Sequence, residues 1–322
     1  MRAIVVGRTG GPEQLTLREI DKPVPEAHEA LIRIESIGVN FIDIYFREGR
    51  YPAALPFIPG QEAAGVVEAV GRDAKTVKVG DRVAYTGGLG AYAEYATVPA
   101  NRLVKLPEKF AARDAAAAML QGMTAHYLTR STYPLAAGET ALVHAAAGGV
   151  GLILCQWAKA LGATVIGVVG SEAKAELAKK HGCKHVLISG QDELVPGVKK
   201  LTRDAGVAVV YDAVGKDTFM ESLDCLRRRG MMVTFGNASG APPAISPLEL
   251  SKRGSLFLTR PTLFHYIATR AELEAAAREL FAAVRAKKVR IVIGQKYPLA
   301  RAADAHRDLE GRRTTGSAVL VP

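Results

Sequence analysis

Cysteine is scarce in this sequence, with three residues among 322. Cys155, Cys183 and Cys225 are too few and too widely spaced for a disulfide framework or a four-cysteine zinc lobe. Long apolar runs are scarce too, because only residues 141–158 approach the length of a membrane span without a charge. Three glycines and two polar side chains in that run favour a buried strand, a turn and a helix. The opening MRAIVVGRTGGPEQ meets glycine and proline too early for a signal peptide. We therefore expect a cytoplasmic protein without a membrane segment.

Acidic residues are outnumbered, which gives a net charge of +10. Much of the basic excess lies in LRRRG (226–230), RAKKVR (285–290) and GRR (311–313). No zinc finger, basic zipper or aromatic-basic RNA motif accompanies it. The arginines before Gly230 stand at a predicted helix end, where cations complement the helix dipole. The charge therefore favours a solvated basic surface over a nucleic-acid-binding stripe.

The organisation of the chain changes near residue 124. Residues 1–108 are rich in glycine, proline and short alternating runs, which predict short strands in a barrel-like domain. Residues 125–262 alternate between apolar strands and helical patterns. The predicted strands are TALVHA, TVIGVV, HVLIS, VAVVYDAVG, MMVTFG and SLFLTR. Six such strands with helical crossovers predict an α/β fold with a doubly wound parallel sheet.

Glycines mark the predicted helix ends in this region. Gly162, Gly182 and Gly230 follow the helical patterns GLILCQWAKALG, SEAKAELAKKHG and KDTFMESLDCLRRRG. The link at 191–206 is less regular, because Pro196-Gly197 would interrupt a long helix. After residue 262, an alanine-rich helix leads to the closing strand GSAVLVP.

The stretch HAAAGGVG (144–151) joins the first strand of this region to its first helix. That context is the one in which a glycine-rich turn binds a dinucleotide. Gly148 and Gly149 let the backbone approach a pyrophosphate, and Gly151 lets the helix pack tightly on the sheet. Free amides at the helix start then face the phosphates. Ala146 occupies the place of the first glycine of the usual pattern.

The second strand of this region indicates which nicotinamide cofactor is used. An NAD-binding sheet usually carries a carboxylate at this tip, but here the strand ends in Gly170-Ser171. Ser171 is a good N-cap, which places Lys174 in the first turn, where the helix dipole disfavours a cation. A lysine there suits the ribose 2′-phosphate of NADPH. The alternative is that Lys174 extends into water beside Glu172.

Many motifs follow one another in a recognisable order along nearly the whole chain. They include GGPEQL (10–15), GVNFIDIYFREGRYP (38–52), PGQEAAGVVEAVG (59–71), GDRVAY (80–85), QGMTAHYL (121–128), VVYDAVG (209–215) and LFLTRP (256–261). The sequence resembles the medium-chain dehydrogenase/reductase superfamily, and within it the zinc-free, zeta-crystallin-like quinone oxidoreductases. The resemblance implies a GroES-like β-barrel domain (1–124, completed by 263–322), a Rossmann domain (125–262) and a homodimer. It also implies an enzyme that oxidises NADPH and reduces a quinone.

The metal positions of the superfamily separate this chain from its zinc enzymes. Zinc alcohol dehydrogenases place a cysteine after GV and a histidine between glycine and glutamate, where this chain has Asn40 and Gln61. Zinc is held by cysteine, histidine or carboxylate, so we expect no metal site. HGCKH (181–185) spans a helix-ending glycine and is not expected to bind a metal. Quinones and enones are electron-poor and accept hydride without a Lewis acid.

The observations above and the resemblance together give the individual site residues. For catalysis and substrate binding these are Asn40, Asp43, Tyr45 and Tyr51. For the cofactor they are Thr124, Gly148, Gly149, Val150, Gly170, Ser171, Lys174, Ser189, Phe235, Gly236, Asn237, Leu258, Arg260 and Arg312. Ser189 departs from the tyrosine that relatives often carry beside the adenosine phosphate, and Gln121 stands where some relatives have lysine.

Several alternatives stay open at this point. Asp43 is either part of the site or the brace of a turn, and either tyrosine contacts the acceptor or serves packing. His126 and His144 are expected to be core or hydrogen-bonding residues rather than catalysts. The protein as a whole is alternatively an enoyl reductase acting on acyl-CoA thioesters or enones, or a non-catalytic RNA-binding relative.

Overall fold

The computed structural model describes all 322 residues of the chain. They form two compact units. The first consists of Met1–Met123, Ile267–Phe281 and Ile291–Pro322, and the second of Thr124–Tyr266 and Ala282–Arg290. The division of the chain by function at residues 124 and 262 stays a prediction.

Fifteen strands and eleven helices make up the two units. The strands are β1 (Arg2–Val5), β2 (Thr16–Glu19), β3 (Glu29–Val39), β4 (Glu62–Val70), β5 (Arg82–Thr86), β6 (Tyr95–Pro99), β7 (Val104–Lys105), β8 (Thr140–His144), β9 (Thr164–Val169), β10 (His185–Ile188), β11 (Val207–Asp212), β12 (Leu226–Thr234), β13 (Phe257–Thr259), β14 (Ile293–Pro298) and β15 (Ser317–Val321). The helices are α1 (Phe41–Arg47), α2 (Ala112–Ala116), α3 (Met119–Tyr127), α4 (Gly149–Ala160), α5 (Glu172–Lys180), α6 (Leu194–Thr202), α7 (Phe219–Asp224), α8 (Leu248–Lys252), α9 (Leu263–Tyr266), α10 (Arg270–Arg285) and α11 (Ala302–Glu310). None of the helices combines the length and apolar character needed to cross a membrane.

The first unit is built on a seven-stranded sheet in the order β14-β15-β3-β4-β5-β7, with β6 also paired to β3. Strand β3 is antiparallel to β4, β6 and β15, so the closing strand of the chain joins the amino-terminal strands. The prediction of short strands in a barrel-like domain is confirmed. Buried aliphatic residues such as Ile32, Val67 and Leu320 form its core.

The second unit contains a six-stranded parallel sheet in the order β10-β9-β8-β11-β12-β13. This is the doubly wound order, in which the order of the parallel strands reverses between β8 and β11. All six predicted strands are present, and the prediction of a Rossmann sheet is confirmed. The sheet buries aliphatic side chains because helices pack against it.

Two of the three predicted helix ends are confirmed. Helix α4 ends at Ala160 and α5 ends at Lys180, and each is followed by a glycine with a positive φ, 87° at Gly162 and 114° at Gly182. Glycine adopts this left-handed conformation without a Cβ clash, so it ends a helix cleanly.

The third predicted helix end, at Gly230, is wrong. Helix α7 stops at Asp224, and β12 begins at Leu226. The pairing of β11 with β12 shifts in register here, and Arg229 takes a left-handed φ of 59°. Because this segment is irregular, the three successive arginines 227–229 stay exposed near the start of β12 rather than on a helix.

The link at 191–206 is also more regular than expected, since it contains helix α6. Pro196 lies in the first turn of that helix, where an amide proton is not needed for an intrahelical hydrogen bond. Strand β14 and helix α11 were not predicted from the sequence.

Candidate active site

The glycine-rich turn joins β8 to α4 in the predicted manner. Gly148 is the N-cap of α4, and it provides no side-chain cap for the first-turn amides. Its own N–H donates to the carbonyl of Ala145 at 2.9 Å, which closes the turn. Helix α4 therefore begins with backbone donors and a positive dipole end that suit a bound anion.

Close packing explains the small residues of this turn. A Cβ on Gly151 would lie 2.2 Å from the Ala145 oxygen and 2.8 Å from the Ala146 Cα, so only glycine fits. The left-handed φ, 51°, falls on Ala145. Ala146 is completely buried, and its Cβ fills the space above Gly167. Alanine in the first slot of the pattern thus serves packing.

The next two strand ends lie at the same edge of the sheet. Ser171 caps α5, as predicted, by accepting a hydrogen bond from the Lys174 amide at 3.4 Å. A Cβ on Gly170 would meet nothing within 4 Å, so the backbone there is open to a ligand. Ser189 follows β10, is exposed, and donates its amide to Val169 at 2.8 Å.

The loop after β12 completes this edge. Phe235 and Gly236 both donate their amides to the carbonyl of Asp212, at 2.8 and 3.4 Å. The Asp212 side chain accepts from the amides of Val214 and Gly215 and from the Thr218 hydroxyl. Asp212 therefore fixes the segment that holds the predicted residues after β12, which include Asn237.

The remaining predicted cofactor residues are spread more widely. Thr124 is buried on α3, and Leu258 lies within edge strand β13. Arg260 follows β13. Arg312 is exposed after α11 and belongs to the first unit. The parallel sheet brings together the residues that follow β8, β9, β10 and β12 at one edge.

Asn40 and Asp43 form a capping box at the start of α1 in the first unit. The backbone N–H of Asn40 donates to Asp43 Oδ2 at 2.9 Å, and Asp43 is completely buried. Burial raises the pKa of Asp43 to about 7, against the opposing hydrogen bonds from Asn40 and Tyr92. The hydrogen bonds from the Asn40 backbone and from Tyr92 show that Asp43 braces the turn that carries Asn40, and a direct role for Asp43 stays a prediction.

A buried hydrogen-bond chain supports Asp43 from α11. Tyr92 Oη lies 3.0 Å from Asp43 Oδ2 and 3.0 Å from His306 Nε2, and Arg47 Nη1 lies 3.2 Å from His306 Nδ1. Arginine only donates, so Nδ1 accepts, and His306 Nε2–H donates to Tyr92, which donates to Asp43. Burial and the Arg47 charge lower the pKa of His306 to about 3, which keeps it neutral. Glu310 pairs with Arg47 at 2.6 Å.

Glu62 and Gln121 hold the Asn40 side chain. Asn40 Nδ2 lies 2.7 Å from Glu62 Oε1, and Gln121 Nε2 lies 3.0 Å from Asn40 Oδ1. Glu62 is completely buried and was not predicted as a site residue. Its only signal in the sequence is a carboxylate that opens the otherwise apolar strand EAAGVV.

The two predicted tyrosines come together beside α1. The rings of Tyr45 and Tyr51 meet edge to face with centroids 5.4 Å apart, and the Arg50 guanidinium lies 5.6 Å from the Tyr45 ring. Tyr45 is nearly buried, whereas Tyr51 is half-buried. Of the pair, Tyr51 therefore has more surface to offer a ligand.

His144 is buried, as expected, whereas His126 is only partly buried. His144 Nε2 lies 2.9 Å from the Ser222 hydroxyl, and burial lowers its pKa. The His126 ring packs edge to face on Trp157 with centroids 5.4 Å apart. Neither forms part of a metal-binding group, because no three histidine, cysteine or acidic side chains are arranged to hold a metal ion.

Comparison with known proteins assigns both halves of the chain. Residues 26–108 match the family described as "Alcohol dehydrogenase GroES-like domain", and residues 149–283 match that described as "Zinc-binding dehydrogenase". A quinone oxidoreductase of Pseudomonas aeruginosa is 50% identical, with 97% of each chain covered. The chain belongs to the quinone oxidoreductase family of the medium-chain dehydrogenase/reductase superfamily.

Two further members of the superfamily are informative. The crystal structure of Escherichia coli quinone oxidoreductase with NADPH has a TM-score of 0.98 and 46% identity, and both chains are covered completely. A 2-haloacrylate reductase of Burkholderia is 43% identical and covers 99% of this chain and 98% of its own. The fold predicted from the sequence is the fold of this family.

The positions that bind zinc in other members of the superfamily can be compared in this chain. The "Zinc-binding dehydrogenase" description belongs to the family model for residues 149–283. In the present chain, the two positions that carry zinc ligands in alcohol dehydrogenases hold the buried side-chain amides of Asn40 and Gln61. Neutral amides are poor zinc ligands, and Asn40 is already engaged by Glu62 and Gln121.

Proposed function

We propose that this protein is an NADPH-dependent quinone oxidoreductase that works without zinc. The observation that carries the proposal is the buried amide pair at positions 40 and 61. An acceptor reduced beside these amides receives hydrogen bonds but no Lewis-acid polarisation. Quinones suit such a site because they are electron-poor before they bind. The name of the Pseudomonas relative points to the same reaction.

The edge of the parallel sheet fits NADPH. The side-chain-free N-cap at Gly148 and the open backbone at Gly170 accommodate the pyrophosphate and the adenosine ribose. Lys174, in the first turn of α5, is the proposed partner of the 2′-phosphate. The Escherichia coli relative has been crystallised with NADPH, which supports this choice of cofactor.

The residues of the first unit hold the acceptor and its proton supply. The bound cofactor supplies a hydride, so reduction of a quinone to a hydroquinone requires one further proton from the protein or from water. Asn40 donates a hydrogen bond to a quinone oxygen, which stabilises the negative charge that develops there. Tyr51, with Tyr45 packed against it, offers a flat apolar face and a hydroxyl. Asp43 keeps Asn40 in place.

Reduction of a conjugated double bond is the second candidate function. The Burkholderia relative is named a 2-haloacrylate reductase and is similar over nearly the whole of both chains. Enones and haloacrylates share with quinones an electron-poor carbon–carbon double bond that is conjugated with a carbonyl. The same hydrogen bond from Asn40 would stabilise the enolate formed from such an acceptor.

The test of the proposed function is quinone-dependent oxidation of NADPH by the purified protein. We expect turnover with naphthoquinone that is unchanged by prior treatment with a chelator, and a loss of turnover in Asn40→Leu. Absence of quinone-dependent oxidation, or turnover that appears only after zinc is added, would contradict the proposal.

We also propose a cytoplasmic homodimer that does not bind nucleic acid. Edge strand β13 exposes 56% of Phe257 and 38% of Leu258, an apolar edge that a second copy of the chain would cover. The three cysteines are buried free thiols, which suits a reducing compartment. Sedimentation should give a dimer that Phe257→Glu dissociates. Binding to RNA that survives physiological salt would contradict the proposed partners.

A further inference from the structure

A buried chain of polar groups runs from β15 to β4 through Asn40. Ser317 Oγ lies 2.9 Å from the Ala117 carbonyl oxygen and 2.6 Å from Gln121 Oε1. The chain continues from Gln121 Nε2 to Asn40 Oδ1 at 3.0 Å, and from Asn40 Nδ2 to Glu62 Oε1 at 2.7 Å. We call Ser317, Gln121, Asn40 and Glu62 the amide chain. None of its side chains is more than 6% exposed.

The protons of the amide chain do not balance in this orientation. The Ser317 hydroxyl has one proton but faces two carbonyl oxygens, those of Ala117 and Gln121. A half-turn of both amides removes the conflict, because their oxygen and nitrogen ends exchange places. Gln121 then donates to Ser317, Ser317 donates to Ala117, and Asn40 donates to Gln121. Every contact has one donor, provided that Glu62 Oε1 carries a proton for Asn40 Oδ1.

The surroundings of Glu62 favour that proton. Glu62 is completely buried and forms no salt bridge; its other oxygen, Oε2, accepts the Leu120 amide at 2.6 Å. The titratable groups that face it are Asp43 and Tyr92, and neither is a cation. Burial, with the Asp43 charge adding to it, raises the pKa of Glu62 to about 8.

Asp43 and Glu62 differ in how well each supports a charge. Two buried carboxyls close together do not both ionise readily. Asp43 Oδ2 accepts from the backbone N–H of Asn40 and from the Tyr92 hydroxyl. Because Tyr92 accepts a hydrogen bond from His306, its own proton points to Asp43. Asp43 therefore supports a negative charge better than Glu62 does. Asp43 is the carboxyl that ionises, and Glu62 keeps its proton.

We infer that Glu62 is a positioning residue, a neutral carboxylic acid that donates its proton to Asn40 Oδ1 and thereby sets the direction of the whole amide chain. Ionisation of Glu62 would turn the nitrogen of Asn40 towards it and change the group that Asn40 presents to the acceptor. This consequence for catalysis rests on the proposed function, in which Asn40 contacts the acceptor. The protonation of Glu62 itself does not.

Infrared spectroscopy of the resting protein tests the protonation without any reaction. The native protein should show the carbonyl stretch of a neutral carboxylic acid that disappears as pH rises through about 8. Glu62→Gln should remove it. Glu68→Gln, on the exposed face of the same strand, should leave it unchanged. If Glu62→Gln removes no such band, the inference is wrong, whatever the enzyme assays show.

The pH dependence of kcat/KM tests the positioning role. Glutamine copies the neutral acid, since its amide donates to Asn40 Oδ1 and its oxygen accepts from Leu120. We expect Glu62→Ala to lower kcat/KM by about tenfold, the equivalent of one lost hydrogen bond. Glu62→Gln should restore most of the loss and abolish the decline of native activity above pH about 8. An identical alkaline decline in the native protein and in Glu62→Gln would overturn the positioning role.

Discussion

Replacing Lys174 by glutamate should remove most of the preference for NADPH over NADH that we propose for this enzyme. Ser171 caps α5 and places Lys174 at the third position of the helix, where the dipole disfavours a cation. A bound 2′-phosphate would make that placement favourable, because lysine and phosphate form a charge-assisted hydrogen bond. Glutamate at the same position would face the phosphate with a like charge, while it accepts the ribose hydroxyls of NADH.

The size of the cofactor preference follows from the energy of one hydrogen bond. One charge-assisted hydrogen bond to a partly buried lysine contributes about 1.5–3 kcal/mol, which corresponds to at least about a tenfold preference for NADPH. Repulsion by the introduced glutamate should remove most of that preference. The fold should tolerate the change, since an acidic residue in the first turn of a helix interacts well with its dipole.

Steady-state kinetics with both cofactors and one quinone is the assay. Lys180→Glu provides a matched control, because it makes the same charge change on the same helix about 9 Å further along the axis. We expect the ratio of kcat/KM values for NADPH and NADH to collapse in Lys174→Glu and to stay near the native ratio in Lys180→Glu. Equal kcat/KM for the two cofactors in the native enzyme would refute the reasoning.

Three further predictions concern binding and stability. Gly149→Val should abolish NADPH binding in calorimetry while the circular dichroism spectrum stays native, because a branched side chain would occupy the pyrophosphate position; normal affinity would remove this turn from the site. Arg47→Met should lower the free energy of unfolding by about 3 kcal/mol, since it leaves buried His306 Nδ1 and the partly buried acceptors of Gly10, Glu48 and Glu310 without this donor; an unchanged denaturation midpoint would contradict the assigned network. The free energy of unfolding should fall as pH rises from about 5 to 8, because native Glu62 keeps a proton that the unfolded chain releases. Its raised pKa accounts for about 5 kcal/mol, and Glu62→Gln should reduce this decline to the part that the raised pKa of Asp43 contributes.

Features that depend on local pattern were predictable from the sequence. The six strands of the parallel sheet are continuous apolar runs because both faces of the sheet are covered. The glycine turn and the Ser171 cap depend on neighbours within a few residues, so their sequence signals are direct. The end of α7 was missed because an arginine-rich segment before glycine fits a helix end as well as an irregular strand.

The supporting network of Asn40 was not predictable in the same way. Its bonds join residues that are 22, 81 and 196 positions apart, from Asn40 to Glu62, from Gln121 to Asn40 and from Ser317 to Gln121. Each of these residues is an ordinary polar side chain in its local context. Only the pairing of β15 with β3, together with the position of α3, brings them together. The resemblance to a family pointed to Asn40, Asp43 and Gln121 but not to Glu62 or Ser317.

A comparison of electron acceptors tests the central claim most directly. The native enzyme should be assayed with saturating NADPH against naphthoquinone, crotonyl-CoA and a haloacrylate, and kcat/KM determined for each. We expect the highest kcat/KM for the quinone, with no dependence on added metal. A kcat/KM for crotonyl-CoA or the haloacrylate that exceeds that for the quinone by a wide margin would contradict it and would identify the protein as a reductase of conjugated double bonds.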